Sequence, residues 1–174
     1  MKKMVFLTFA LFSLTFLKSA NCQQNSGKED FQLTTLLNDV IVKKCHLTEL
    51  SKTNPIIIKN ENVEIKITFD NSTLKSFWSP EVAVQYIFDA ALQHLLAAIL
   101  NDSQKRFNNV KGFTFYVDIR PHDIPPVLVF KISKNDYLQY SVGTVSKGSF
   151  YKRISITSAG EKFKFDAHTA VDVQ

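Results

Sequence analysis

The chain has 174 residues, 45% of them hydrophobic. That is room for one domain with a normal core, and it excludes global disorder. It carries 21 cations against 16 anions, but Lys2, Lys3 and Lys18 precede residue 23; without them the balance is +2, which lacks the basic stripe of a general nucleic-acid binder.

Lys2 and Lys3 form a charged start, Met4–Leu17 is a short apolar run, and Lys18–Cys22 is small and polar. This layout predicts a secretory signal peptide over residues 1–22, because the run falls short of the about 20 residues a bilayer span needs. Ala20 and Cys22 stand three and one residues before a cleavage site ahead of Gln23. The alternative is a lipoprotein acylated at Cys22, although Ser19 and Asn21 depart from the usual lipobox. Loss or acylation of Cys22 leaves Cys45 alone, whereas a retained thiol would allow a Cys22–Cys45 bridge. The expected location is secreted, periplasmic or outer-envelope associated, with membrane attachment only if Cys22 is lipidated.

Residues 23–30 (QQNSGKED) read as a flexible leader, 31–166 as a single domain and 167–174 as a tail. Phe31, Leu33, Leu36, Leu37, Val40 and Ile41 recur at helical steps and predict an amphipathic helix over about 29–46. Cys45 and His46 fall at its frayed end, too few to form a metal site. Pro55–Lys59 and Val63–Phe69 form a hairpin; in the second strand Val63, Ile65, Ile67 and Phe69 alternate with Glu64, Lys66 and Thr68. Phe77 and Trp78 precede Ser79, a helix cap followed by Pro80 and Glu81. From Ser79 to about Phe107 the chain is apolar almost all round, apart from a narrow stripe of Glu81, Gln85, Asp89 and Gln93. A helix of that kind is buried over most of its surface. His94 beside the stripe reads as a hydrogen-bonded boundary residue.

Phe113–Arg120 alternates as a strand, and Pro121–Pro126 ends its ladder. Val127–Ser133, Tyr137–Val145 and Phe150–Thr157 read as three more strands, with Glu161–Phe165 as a short final edge. The expected fold is α+β: an N-terminal helix, a β-hairpin, a long buried helix, then a four-strand antiparallel meander, a curved sheet wrapped on a helix. This order resembles the cone-shaped folds of the nuclear-transport-factor-like kind, a likeness that implies architecture and no function.

Two clusters could carry chemistry. Asp118, Arg120, His122 and Asp123 bring acid, base and cation together, suited to general acid–base work or to a solvated surface ion pair. Lys147, Tyr151, Lys152 and Arg153, with Lys162 and Lys164 nearby, could hold an anion or protect a sheet edge. On a strand, Tyr151 and Arg153 would share one face and Lys152 the other. The four histidines lie in four segments, Asp166 and His168 fall near the tail, and no phosphate loop, nucleophile elbow or zinc motif occurs. No cofactor or metal is therefore expected. Sequons at Asn71 and Asn101 matter only in a host that secretes through the endoplasmic reticulum. The sequence points to an exported non-enzymatic binding module for a protein or anionic ligand. The alternatives are a structural lipoprotein anchored at Cys22 and a small hydrolase-like enzyme.

Overall fold

A computed structural model describes residues 31–59, 61–70, 72, 80–102, 107–120 and 127–163. The signal, leader and tail, Trp78, the cap at Ser79, His122 and Asp123 lie outside the described residues. Helix α1 covers residues 31–44 and is followed by β1 (Thr48–Leu50), β2 (Ile56–Lys59) and β3 (Asn62–Asp70). Helix α2 runs over residues 80–100, and β4 (Gly112–Arg120) and β5 (Val127–Ser133) come next. Two short helices, α3 (Lys134–Ser141) and α4 (Lys147–Tyr151), precede β6 (Ser155–Ser158) and β7 (Glu161–Phe163).

Among the described residues the seven strands form one mixed sheet ordered β1-β3-β4-β5-β6-β7, with β2 also on β3. The expected hairpin β2–β3 is present, with Ile56 opposite Ile65 and Ile58 opposite Val63. The sheet is not purely antiparallel: β3 and β4 run parallel, Val63 facing Phe113 and Phe69 facing Ile119. The physical reason is the connection. Parallel neighbours need a long crossover, and α2 supplies it.

Alternation gives the sheet a dry face. Ile56, Ile65, Phe115, Phe130 and Ile156 stand in one row across five strands, and all are buried. Leu33, Leu37 and Ile41 of α1 and Val84, Ile87, Phe88, Leu92, Leu95, Leu96 and Ile99 of α2 join the same core. The spine helix buries one face, with Tyr86 left exposed. Over Val82–Leu100 it is long and apolar enough to cross a bilayer, and 44% of that stretch is buried in the core, less than the all-round burial its composition suggested. Tyr86 meets Phe69 of β3 edge-on at 6.2 Å.

The expected strand over Tyr137–Val145 is instead helix α3, and the expected strand Phe150–Thr157 begins as helix α4 and extends only from Ser155. Serine caps explain both changes. Ser133 accepts from the Asp136 N–H, and Ser146 accepts from the Ser149 N–H. Each satisfies a helix-start donor that a strand would leave to a ladder. The two helices fold an aromatic cluster onto α2: Phe150 stacks on Tyr140 at 4.6 Å and tilts against Phe88 at 5.7 Å. Helix α1 ends at residue 44, and β1, which was not expected, follows within four residues. The last edge strand is present at Glu161–Phe163, where the described residues end.

Strands β1 and β2 are one interrupted edge. The Ser51 N–H donates to the Lys66 carbonyl at 3.0 Å, and the Lys66 N–H donates to the Pro55 carbonyl at 2.8 Å. Both ends of the interruption therefore meet on one residue of β3, and Lys52, Thr53 and Asn54 loop out between them. Asn54 takes a positive φ of 45° to close the loop, a conformation asparagine tolerates better than most residues.

Candidate functional site

Helix α2 is not regular. Phe88–Leu92 forms a π-helical turn between two α-helical segments. The Gln93 N–H reaches back to the Phe88 carbonyl, and the Gln93 side-chain amide donates to the Asp89 carbonyl at 2.7 Å. Such single π-turns recur at functional sites. This one presents Asp89 to helix α4.

Two residues singled out from sequence converge there. Lys147 Nζ lies 3.1 Å from Asp89 Oδ2, and the Tyr151 hydroxyl donates to Asp89 Oδ1 at 2.5 Å. Lys147 Nζ also sits 5.4 Å from the centre of the Tyr151 ring. Burial, then the bond to Asp89 and its charge, push the Tyr151 hydroxyl far above its ordinary range. It therefore holds its proton across physiological pH. Nearby, the Tyr137 hydroxyl donates to the Gln93 carbonyl at 3.1 Å, and burial pushes it up to about 12.

The other two members of that cluster go elsewhere. Arg153 donates to Asp136 Oδ1 at 2.9 Å and to Gln139 Oε1 at 3.1 Å. Lys152 ends helix α4 and is exposed. Because the segment is helical, Tyr151 and Arg153 do not share a strand face. Tyr151 is buried against Phe88, whereas Arg153 is tied to α3. The cations of this region thus serve chiefly to join α3 and α4 to each other and to α2.

Asp118 and Arg120 share the outer face of β4, as their spacing implies, and pair with each other at 2.9 Å. Their side chains are 30% and 62% exposed, so the pair is solvated and of the kind worth about 0–1 kcal/mol.

These two residues also line a groove of about 520 Å³ on the open face of the sheet. Lys66, Thr68 and Tyr116 line it together with Val127, and the looped-out Lys52 and Thr53 contribute beside them. Lys66 and Tyr116 are direct register partners on β3 and β4. Among the described residues Lys66 has no carboxylate partner. Sequence reasoning passed over Lys66 because it reads as one more polar residue on a wet strand face. Its position opposite a tyrosine depends on parallel pairing, which alternation alone does not encode.

A second hollow lies between α1 and β1, lined by Asn38, Val42, Cys45, His46, Thr48 and Glu49 among others. Cys45 is a buried free thiol, raised in pKa by its burial and therefore protonated and unreactive at neutral pH. Among the described residues no three His, Cys, Asp or Glu side chains gather to hold a metal. Comparison with known protein families, curated proteins and solved structures finds no match.

Proposed function

We propose that the protein is an exported, non-enzymatic binding module that holds an anionic group, free or on a partner protein, in the groove on the open sheet face. One observation carries this reading: among the described residues Lys66 stands in the groove beside Tyr116 without a carboxylate partner, and Lys52 and the Asp118-paired Arg120 line the same hollow, with Glu49 also on its wall. An anion reaching Lys66 displaces no carboxylate. An anion reaching Lys147 or Arg153 must first displace Asp89 or Asp136. A tyrosine beside a free ammonium suits a carboxylate, sulfate or phosphate, with the ring excluding water on one side. Export rests on the charged start and short apolar run of residues 1–22.

Each exposed contact contributes only about 0–1 kcal/mol, so affinity needs several contacts and falls with salt. The test is binding of the immobilised protein to a poly-glutamate peptide and to heparin at rising ionic strength. Wild type should bind and lose affinity with salt, and Lys52→Glu, Lys66→Glu should not bind. Equal binding by that variant, or loss only in Lys147→Glu, Arg153→Glu, would move the site off this face. Mass spectrometry of the secreted chain reads the N-terminus, Gln23 or an acylated Cys22.

A further inference from the structure

The groove occupies one face of the sheet; the edge of the sheet at β2 is a separate surface. The Lys66 N–H donates to the Pro55 carbonyl, which fixes the direction of every main-chain group on β2. In an antiparallel ladder, residues two apart point the same way. Pro55, Ile57 and Lys59 therefore turn their main-chain groups toward β3. Ile56 and Ile58 turn theirs outward, and among the described residues β2 pairs with β3 alone. No described hydrogen bond uses the outward groups of Ile56 and Ile58.

Edge strands are usually blunted by proline, inward charge or a covering loop. Here Pro55 spends its missing donor on the β3 side, where it does not spoil the outer edge. Lys59 projects on the open face, opposite Asn62. The loop Lys52–Asn54 does not cover β2 either. Lys52 and Thr53 line the groove with Lys66 and Tyr116, so the loop rises onto that face. What remains is a run of three isoleucines, with Ile58 43% exposed at the rim of the dry face.

We propose that β2 pairs with β2 of a second copy of this chain, antiparallel about a two-fold axis at Ile57. The register is self-complementary. Ile56 and Ile58 of one copy exchange main-chain hydrogen bonds with Ile58 and Ile56 of the other. Ile57 faces Ile57 of its mate as a non-hydrogen-bonded pair, with Cα atoms about 4.5 Å apart. On the dry side, Ile58 of each copy covers Ile56 of the other, so the rim of one core continues into the next. The one charge on the strand, Lys59, falls opposite Pro55 and meets no like charge. An isologous pair of this kind closes on itself at β2, because both partners use the same edge. The contact is short and buries less than the about 1,200–2,000 Å² of a stable interface, so the dimer is weak and its population rises with concentration.

The test is analytical ultracentrifugation of the purified full chain over a wide concentration range, with Ile58→Pro and Ile58→Lys as variants. Ile58→Pro removes an outward donor and leaves the β3 ladder intact; Ile58→Lys places a charge on the rim. Wild type should show a sedimentation coefficient that climbs with concentration, and both variants should stay at the monomer value with unchanged circular dichroism. Because Lys52 and Lys66 lie off the edge, their groove variant should dimerise like wild type, which separates this inference from the binding reading. In a Cys22→Ala background, where Cys45 is the only native thiol and is buried, Ile57→Cys should cross-link to a covalent dimer under mild oxidation. The same substitution at Lys59 should not. A wild type that stays monomeric throughout, a dimer that survives Ile58→Pro, or cross-linking at position 59 instead of 57 would each overturn the proposal.

Discussion

On β4, Phe115 points into the helical layer and is fully buried, while Tyr116, one residue on, faces outward into the groove opposite Lys66. The same contrast repeats along β3, where Ile65 is buried between Ile56 and Phe115 and Lys66 is not. Two faces of one sheet, separated by the thickness of a backbone, thus answer to different demands. The dry face must fill space against α1 and α2. The open face needs only to stay soluble, and so is free to carry charge and a tyrosine without disturbing the core. Core packing and the chemistry of the open face are separable here because strand side chains alternate strictly between the two.

The largest effect that would test this contrast comes from neighbouring truncations. Phe115→Ala should cost about 3–5 kcal/mol, a large part of a typical domain's 5–15. Tyr116→Ala should cost about 1 kcal/mol or less. Urea denaturation of both variants measures it, and similar costs at the two positions would erase the distinction.

A smaller effect concerns the titrating groups of the dry side. Burial holds the Tyr137 hydroxyl up to about 12, against about 10 in an unfolded chain. The folded state therefore keeps a proton that the unfolded state releases first. Stability from this group is fully present below pH 10 and is lost as pH rises toward 12. Tyr137→Phe gives up the bond to the Gln93 carbonyl but should show a shallower decline across that window. Denaturation curves at both ends of the window give the comparison; parallel declines in the two proteins would show that Tyr137 is not linked to alkaline unfolding.

The smallest effect sharpens the contrast with one residue type on each face. Thr48 is buried on the dry side, and its hydroxyl has no partner among the described residues. Thr68 lies on the open side, lining the groove. Thr48→Val should stabilise by up to about 1 kcal/mol by removing an unsatisfied group, and Thr68→Val should change little. A clear loss of melting temperature in Thr48→Val would mean that its hydroxyl is satisfied in solution.

The dry face was readable in the sequence because it is periodic. Val63, Ile65, Ile67 and Phe69, then Phe113, Phe115, Val117 and Ile119, mark it at a spacing no helix shares, and the stripe through Gln85, Asp89 and Gln93 marks the spine. Helices α3 and α4 were not read from composition, since Tyr137, Tyr140, Phe150 and Tyr151 favour strands as much as helices. The signals that decide them are two serines, Ser133 and Ser146, each with its acceptor aimed at an N–H three residues on. The meeting of Lys147 and Tyr151 with Asp89 spans 58 and 62 residues. It depends on where those helices dock and on a π-turn that adds a residue to the spine, neither of which leaves a local trace. The groove was hidden for a related reason: the parallel pairing of β3 with β4 is a product of the crossover and not of either strand.

The looped-out segment Lys52–Asn54 has a consequence for how this protein can change over generations. Its two ends are fastened to the N–H and the carbonyl of a single residue, Lys66, so its length is uncoupled from the register of everything around it. Extra residues inserted there cost little closure entropy, about 0.6 kcal/mol for each doubling of the loop. They would raise one wall of the groove without shifting a strand. Related chains could therefore reshape the groove by trading this short segment alone, much as a tool changes its bit and keeps its handle.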